Sequence, residues 1–143
     1  MTSPGLRSAI KAELAARWSA CPVFDLSDYI SFAEIPQADL DCMLLLQFTP
    51  STERIATIGP PELHSWREQG VIYFHLAMPT GEPSARALTL GEELRALFRN
   101  RRIGAYRLDF FDPFSDFAGA AIKLDGRWHG WSAPLGFTTE VCA

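Results

Sequence analysis

The stretch Val71–Met78 constrains the fold most. Ile72, Phe74, Leu76 and Met78 share one face of a two-residue repeat, and Val71, Tyr73, His75 and Ala77 share the other. A strand so patterned must be paired with other strands and covered by another layer. Two helical stripes can supply that layer. Within residues 4–18, Leu6, Ile10, Leu14 and Trp18 recur every four residues, and Ala9 and Ala16 broaden the stripe. Ser3 suits the N-cap, and Pro4 suits the first helical position, where a missing N–H costs nothing. Within residues 83–99, Ala87, Leu90, Gly91, Leu94, Leu97 and Phe98 form the second stripe.

Further strands are expected at Asp41–Phe48, Arg54–Ile58, Tyr106–Phe111, Ala120–Leu124, Arg127–Ser132 and Leu135–Val141, with a short one near Tyr29–Phe32. Pro50-Ser51-Thr52 marks a turn, and Pro134 breaks the last two strands apart. Asp125-Gly126 signals a two-residue hairpin, because both of its central positions want φ > 0. Residues 59–70 are bounded by glycines and contain Pro60-Pro61, so they read as a loop. The order helix, strands, helix, strands predicts an α+β fold, an α/β sandwich with two helices packed on one face of a mostly antiparallel mixed sheet. At 143 residues, positions 1–143 form a single domain.

Charge and cysteine usage narrow the function classes. The formal net charge is −4, which disfavours a dedicated nucleic-acid binder. No apolar run approaches membrane-spanning length, and no secretory signal pattern opens the sequence. Residues 18–53 hold six acids (Asp25, Asp28, Glu34, Asp39, Asp41, Glu53) and no base. Residues 86–107 hold six arginines (Arg86, Arg95, Arg99, Arg101, Arg102, Arg107) against Glu92 and Glu93. Two readings are open: two solvated faces, or head-to-tail docking of copies in which one sign meets the other. The cluster from Arg99 to Arg102 reads first as a helix C-terminus complementing the dipole. Cys21, Cys42 and Cys142 form no CxxC pair and read as small buried hydrophobes of a reducing cytoplasm. His64, His75 and His129 are scattered, so no metal site and no cofactor is expected.

No nucleophile elbow, phosphate-binding loop, zincin motif or dinucleotide fingerprint occurs, so the chain does not read as an enzyme. Gly81-Glu82-Pro83 follows a strand and opens a helix, but Glu82 repels a phosphate there. Asp109, Asp112 and Asp116 could supply carboxylates, although they lack the spacing of a calcium loop. Two stretches stand out instead. The 59–70 loop carries Leu63, His64, Trp66 and Arg67. The run Phe110–Phe117 holds four phenylalanines in eight residues, with Phe114 and Phe117 placed where a turn should be. Those two rings fit either an interface or a cluster tucked under the loop. His129 and Trp131 share one strand face and read as packing. The candidate interface residues are Leu63, His64, Trp66, Arg67, Arg99, Arg101, Arg102, Phe114 and Phe117.

The motif order resembles the tail terminator (tail completion) proteins of long-tailed, non-contractile phages and phage-like particles. The contacts are the helix ending Leu14-Ala15-Ala16-Arg17, the stretch Arg54–Gly59 and the strand Gly70–Pro79. They continue with the helix closing Leu94-Arg95-Ala96-Leu97-Phe98, the hairpin entering Gly126-Arg127-Trp128, and Leu135-Gly136-Phe137. The likeness spans Ile10 to Glu140 and is poorest at residues 19–40 and 111–119. It implies a structural virion protein that forms a hexameric ring. That ring would cap the head-proximal end of the tail tube and stop its polymerisation. It would also join the tail to the head. The implied partners are further copies of the chain, the major tail tube protein and the head-closure or connector protein. Genome DNA would pass through the lumen without specific binding. No membrane is involved. The implied location is the tail-neck region of a virion, made in the cytoplasm of a bacterial host. The source would be a phage, a prophage or a gene transfer agent. The alternatives are a head-closure or neck protein of the same particle, or a small cytoplasmic α+β ligand-binding or enzymatic domain using Asp109, Asp112 or His75.

Overall fold

A computed structural model describes residues 4–30, 34–36, 40–55, 65–81, 83–99, 101–104, 106–110, 112–116 and 128–142. In chain order the elements are α1 (Pro4–Arg17), β1 (Val23–Asp25), a 3-10 turn (Leu26–Asp28), β2 (Met43–Phe48), β3 (Thr52–Ile55) and β4 (Ser65–Pro79). They continue with α2 (Ser84–Phe98), β5 (Arg101–Ile103), β6 (Tyr106–Phe110), β7 (Ser115–Asp116) and β8 (Trp128–Cys142). One sheet runs in the order β1-β2-β4-β8-β6-β5, with β3 also on β4 and β7 also on β8. Only β1 and β2 pair in parallel among these strands, so the sheet is mixed and mostly antiparallel. This is the α+β arrangement the sequence predicts.

The centre is a two-stranded ribbon. β4 and β8 pair without a register break from Ser65↔Cys142 to Pro79↔Trp128. One face of the ribbon carries Ile72, Phe74, Leu76 and Met78 with Trp131, Ala133, Leu135 and Phe137. Both helices lie on that face. Leu6, Ile10, Leu14 and Trp18 of the α1 stripe join Ala87, Leu94 and Phe98 of α2 in one core. Phe74, Phe98 and Phe110 meet edge to face, with centroids 5.3 to 6.3 Å apart. Ala16 is exposed, so it adds nothing to the α1 stripe.

Several local expectations are corrected. Residues 65–70 are strand, not loop, because Pro60-Pro61 precede the strand, all of 65–70 pair with β8, and Trp66–Gln69 pair with β3 as well. Gly70 is therefore no boundary. It sits inside β4, where an added Cβ would lie 2.7 Å from Phe137 Cζ. Pro50 does not reverse the chain. β2 and β3 run the same way along β4, and three residues (49–51) oppose two (70 and 71) between Phe48↔Ile72 and Thr52↔Gln69. That extra residue is a bulge. Pro134 does not split the last strand either. It falls where the outer partner of β8 changes from β6 to β7, so its missing N–H spoils no ladder bond there. Tyr29 and Ile30 are not strand; the short strand lies earlier, at β1. The 120–124 strand and the Asp125-Gly126 hairpin fall outside the described residues.

Candidate functional site

Neither α1 nor α2 lies on the second face of the sheet, which is polar away from its Ile35 end. Residues of alternate register point there: Gln47 on β2; Arg67, Gln69, Val71, Tyr73 and His75 on β4; Ser132, Pro134 and Thr138 on β8; Arg107 and Asp109 on β6. One end of this face is covered. Ile35 packs there with Met43, Leu45, Ala77 and Trp128, and with the half-buried Phe24, Leu26, Tyr29 and Leu40. The remainder holds an open cavity of about 630 Å³ lined by Thr49, Gln69, Tyr73, Arg107, Asp109 and Thr138, among others. Thr49 and Pro50 of the bulge form one of its walls, and Gly136, on the same face as Val71, keeps its floor low.

Beside the cavity, His75 is buried with both ring nitrogens engaged. Nδ1 lies 2.6 Å from Ser132 Oγ and Nε2 lies 2.9 Å from Gln47 Oε1. Gln47 Oε1 can only accept, so Nε2 carries the proton and Nδ1 accepts from the Ser132 hydroxyl. Burial pushes the His75 pKa down to about 4. The Tyr73 ring stacks near it, with centroids 6.1 Å apart. His75 is a neutral, satisfied part of the sheet.

The charge segments are partly consumed within the chain. Asp25 is buried; burial alone would raise its pKa, but bonds from Lys11, Ser27 and Arg7 hold it down at about 2. Arg86 pairs with Asp41 at 2.9 Å and lowers its pKa. Arg101 pairs with Glu13 of α1. The basic segment thus reaches the acidic segment of its own chain through Arg86 and reaches α1 through Arg101, so both arginines are engaged at home. What remains is arranged by the topology. β1 and β5 end opposite edges of the sheet. Glu34 and Asp28, both exposed, follow β1, with Asp28 4.0 Å from Lys11 Nζ, whereas Arg99, Arg102 and Arg107, exposed and in no ion pair among the described residues, cluster about β5. Arg102 and Arg107 are direct cross-strand partners, a repulsive pairing for two cations.

The expected interface residues separate accordingly. α2 ends at Phe98, and Arg101 and Arg102 belong to β5, so only Arg99 sits at the helix C-cap. The dipole reading of the cluster is corrected to an edge-strand reading. Arg67 is exposed on β4. Trp66 lies in β4 by its backbone, paired with Ile55 and Val141. Phe114 is buried, 4% exposed, with its ring on Gly91 of α2 and 5.8 Å from Phe110. It is core, and its place in an exposed interface is withdrawn. Leu63, His64 and Phe117 lie outside the described residues. His129 and Trp131 are in ring contact, as packing predicts. Sequence reasoning missed the cavity, because its lining comes from four strands and a bulge. The Arg107/Asp109 alternation against Leu108 and Phe110 was the available signal.

No family model matches the chain and no curated protein matches it. Among the solved chains that match, one superposes with a TM-score of 0.54 at 21% identity, covering 97% of this chain and 96% of that one. Likeness at that identity shows the fold alone: an α+β protein of two helices on one face of a mixed sheet. Among the described residues, no helix is long and apolar enough to cross a membrane, and no group of His, Cys, Asp or Glu is placed to hold a metal ion.

Proposed function

We propose that this chain is a ring-forming virion protein of the tail terminator kind, capping the head-proximal end of a tail tube and joining it to the head. The observation that carries the reading is the charge left over at the sheet edges. A closed ring needs two different, complementary surfaces on one chain. Exposed Asp28 and Glu34 follow one edge strand, and Arg99, Arg102 and Arg107 gather at the other. The order of sequence motifs supports the same reading. In that ring, further copies of the chain are the first partners, and the tube and connector proteins dock on its two ends. The alternative of a small ligand-binding domain rests on the cavity, where Arg107 and Asp109 are both present. His75 adds little to it, because Ser132 and Gln47 already occupy both nitrogens.

Electron microscopy of particles made after deletion of the gene tests the proposal. Overlong, headless tails beside filled heads are expected. Tails of normal length without heads would move the protein to a head-side neck role, and normal particles would favour the cavity. At the residue level, Arg99→Glu with Arg102→Glu is expected to abolish ring formation while the monomer stays folded. Rings of wild-type size and stability would remove the edge-charge argument.

A further inference from the structure

We infer that Cys21 and Cys42 are a latent disulfide pair, reduced where the chain folds and closed by a small-molecule disulfide outside a reducing compartment. The inference rests on strand register and does not depend on the functional reading above. β1 and β2 pair in parallel as Val23↔Leu44, Phe24↔Leu45 and Asp25↔Leu46. The pairing continues one step further back, with Leu44 N–H donating to Pro22 C=O at 2.8 Å. The same offset places Cys21 opposite Cys42. Neighbouring strands lie about 4.8 Å apart, inside the Cα separation of roughly 4.4–6.8 Å that a disulfide requires.

The side chains agree with the register. Cys21 and Cys42 share the parity of Val23 and Leu44, and both thiols enter the same core. The two thiols lie close enough to influence each other's ionisation, and Cys42 Sγ donates to Ala20 C=O at 3.2 Å. Burial pushes both thiols up, so thiolate is scarce and closure is slow at neutral pH. Access exists on one side. Cys21 lines an open cavity of about 420 Å³ with Lys11, Trp18 and Asp25.

The chemistry balances with a small disulfide as oxidant. Cys21 loses its proton, and its thiolate attacks one sulfur of the disulfide and expels one small thiolate. Cys42, deprotonated in turn, attacks Cys21 Sγ and expels the second. The protein dithiol is oxidised, the small disulfide is reduced to two thiols, and the two protons end on them. The closed loop would span residues 22–41, which hold β1, the 3-10 turn and the Ile35 and Leu40 cover of the second face. The bond would therefore pin the acidic connection to the sheet.

The test treats the folded chain with excess oxidised glutathione at pH 8, then counts free thiols with a maleimide under denaturing conditions. The expected result is one reactive thiol, an intact mass lower by two hydrogens, and a Cys21–Cys42 linked peptide. Reducing agent should reverse all three. Closure should raise Tm by roughly 10 °C, from the entropy of a loop of this length. Cys142→Ser should behave as wild type, with no reactive thiol left after oxidation. Three free thiols, a stable glutathione adduct or a linkage through Cys142 would overturn the inference.

Discussion

Replacing Gly91 with alanine sets two effects against each other. Inside an exposed helix, Gly→Ala adds about 1 kcal/mol of stability through propensity. Gly91 is buried in the middle of α2, and Phe114 lies across it. A Cβ there would stand 2.9 Å from Phe114 Cγ and Cδ2 and 3.0 Å from its Cβ. Ordinary contact begins near 3.4 Å, so the phenylalanine must move by about half an ångström. The atoms that meet the new methyl are next to the backbone, so no rotamer change relieves them. Overpacking of this kind costs about 1–3 kcal/mol. The two terms sum to a net loss of about 1 kcal/mol, or roughly 3–4 °C in Tm for a chain of this length. Thermal and denaturant unfolding of G91A measure it. The cycle with Phe114→Ala isolates the cause. F114A alone should lose about 3 kcal/mol as a buried ring, and G91A should turn stabilising in the F114A background. If G91A raises Tm in the wild-type background, Phe114 does not pack on α2 and returns to the list of exposed interface candidates.

Three further outcomes follow from buried groups. His75 has its folded pKa depressed to about 4, so its contribution is present above the unfolded value and lost as pH falls from about 6.5 towards 4; up to about 3 kcal/mol disappears in that window. His75→Gln should flatten urea-derived stability across it, and an unchanged slope would refute the buried neutral imidazole. Asp25, held down at about 2, acts in a lower window: its stabilisation fades as pH falls from about 4 to 2. Asp25→Asn should cost about 2 kcal/mol near pH 7 by stranding Arg7 and Lys11, and should remove that acid limb. Gly70→Ala should cost about 1–3 kcal/mol through its clash with Phe137, and Phe137→Leu should recover part of the loss when unfolding of single and double variants is compared.

The legible parts of the sequence were those written in periodicity. The four-residue spacing of Leu6, Ile10, Leu14 and Trp18 marked the buried face of α1, and the alternation along Val71–Met78 marked both faces of β4. Proline and glycine misled where the chain context was tertiary. Gly59 and Gly70 read as loop limits, yet Gly70 is a strand glycine making room for Phe137. Pro134 read as a break, yet β8 passes through it where a flanking strand ends and another begins. Phe114 read as an aromatic in a turn, and only the position of α2 shows it to be core. The arginine cluster was visible as composition, but its division into engaged Arg101 and, among the described residues, unpaired Arg99 and Arg102 depends on where α1 places Glu13.

The sequence by itself determined the class of fold, because side-chain period decides which faces can be buried and two helical stripes must cover a strand so patterned. It also excluded the familiar catalytic motifs, since those are defined by local spacing. Tertiary structure decided everything that pairs residues distant in the chain. It set Cys21 opposite Cys42, Arg102 opposite Arg107, and the remaining acids and arginines near opposite edges of one sheet. Those pairings follow from strand order and register, and register is a long-range choice fixed by which faces find a common core.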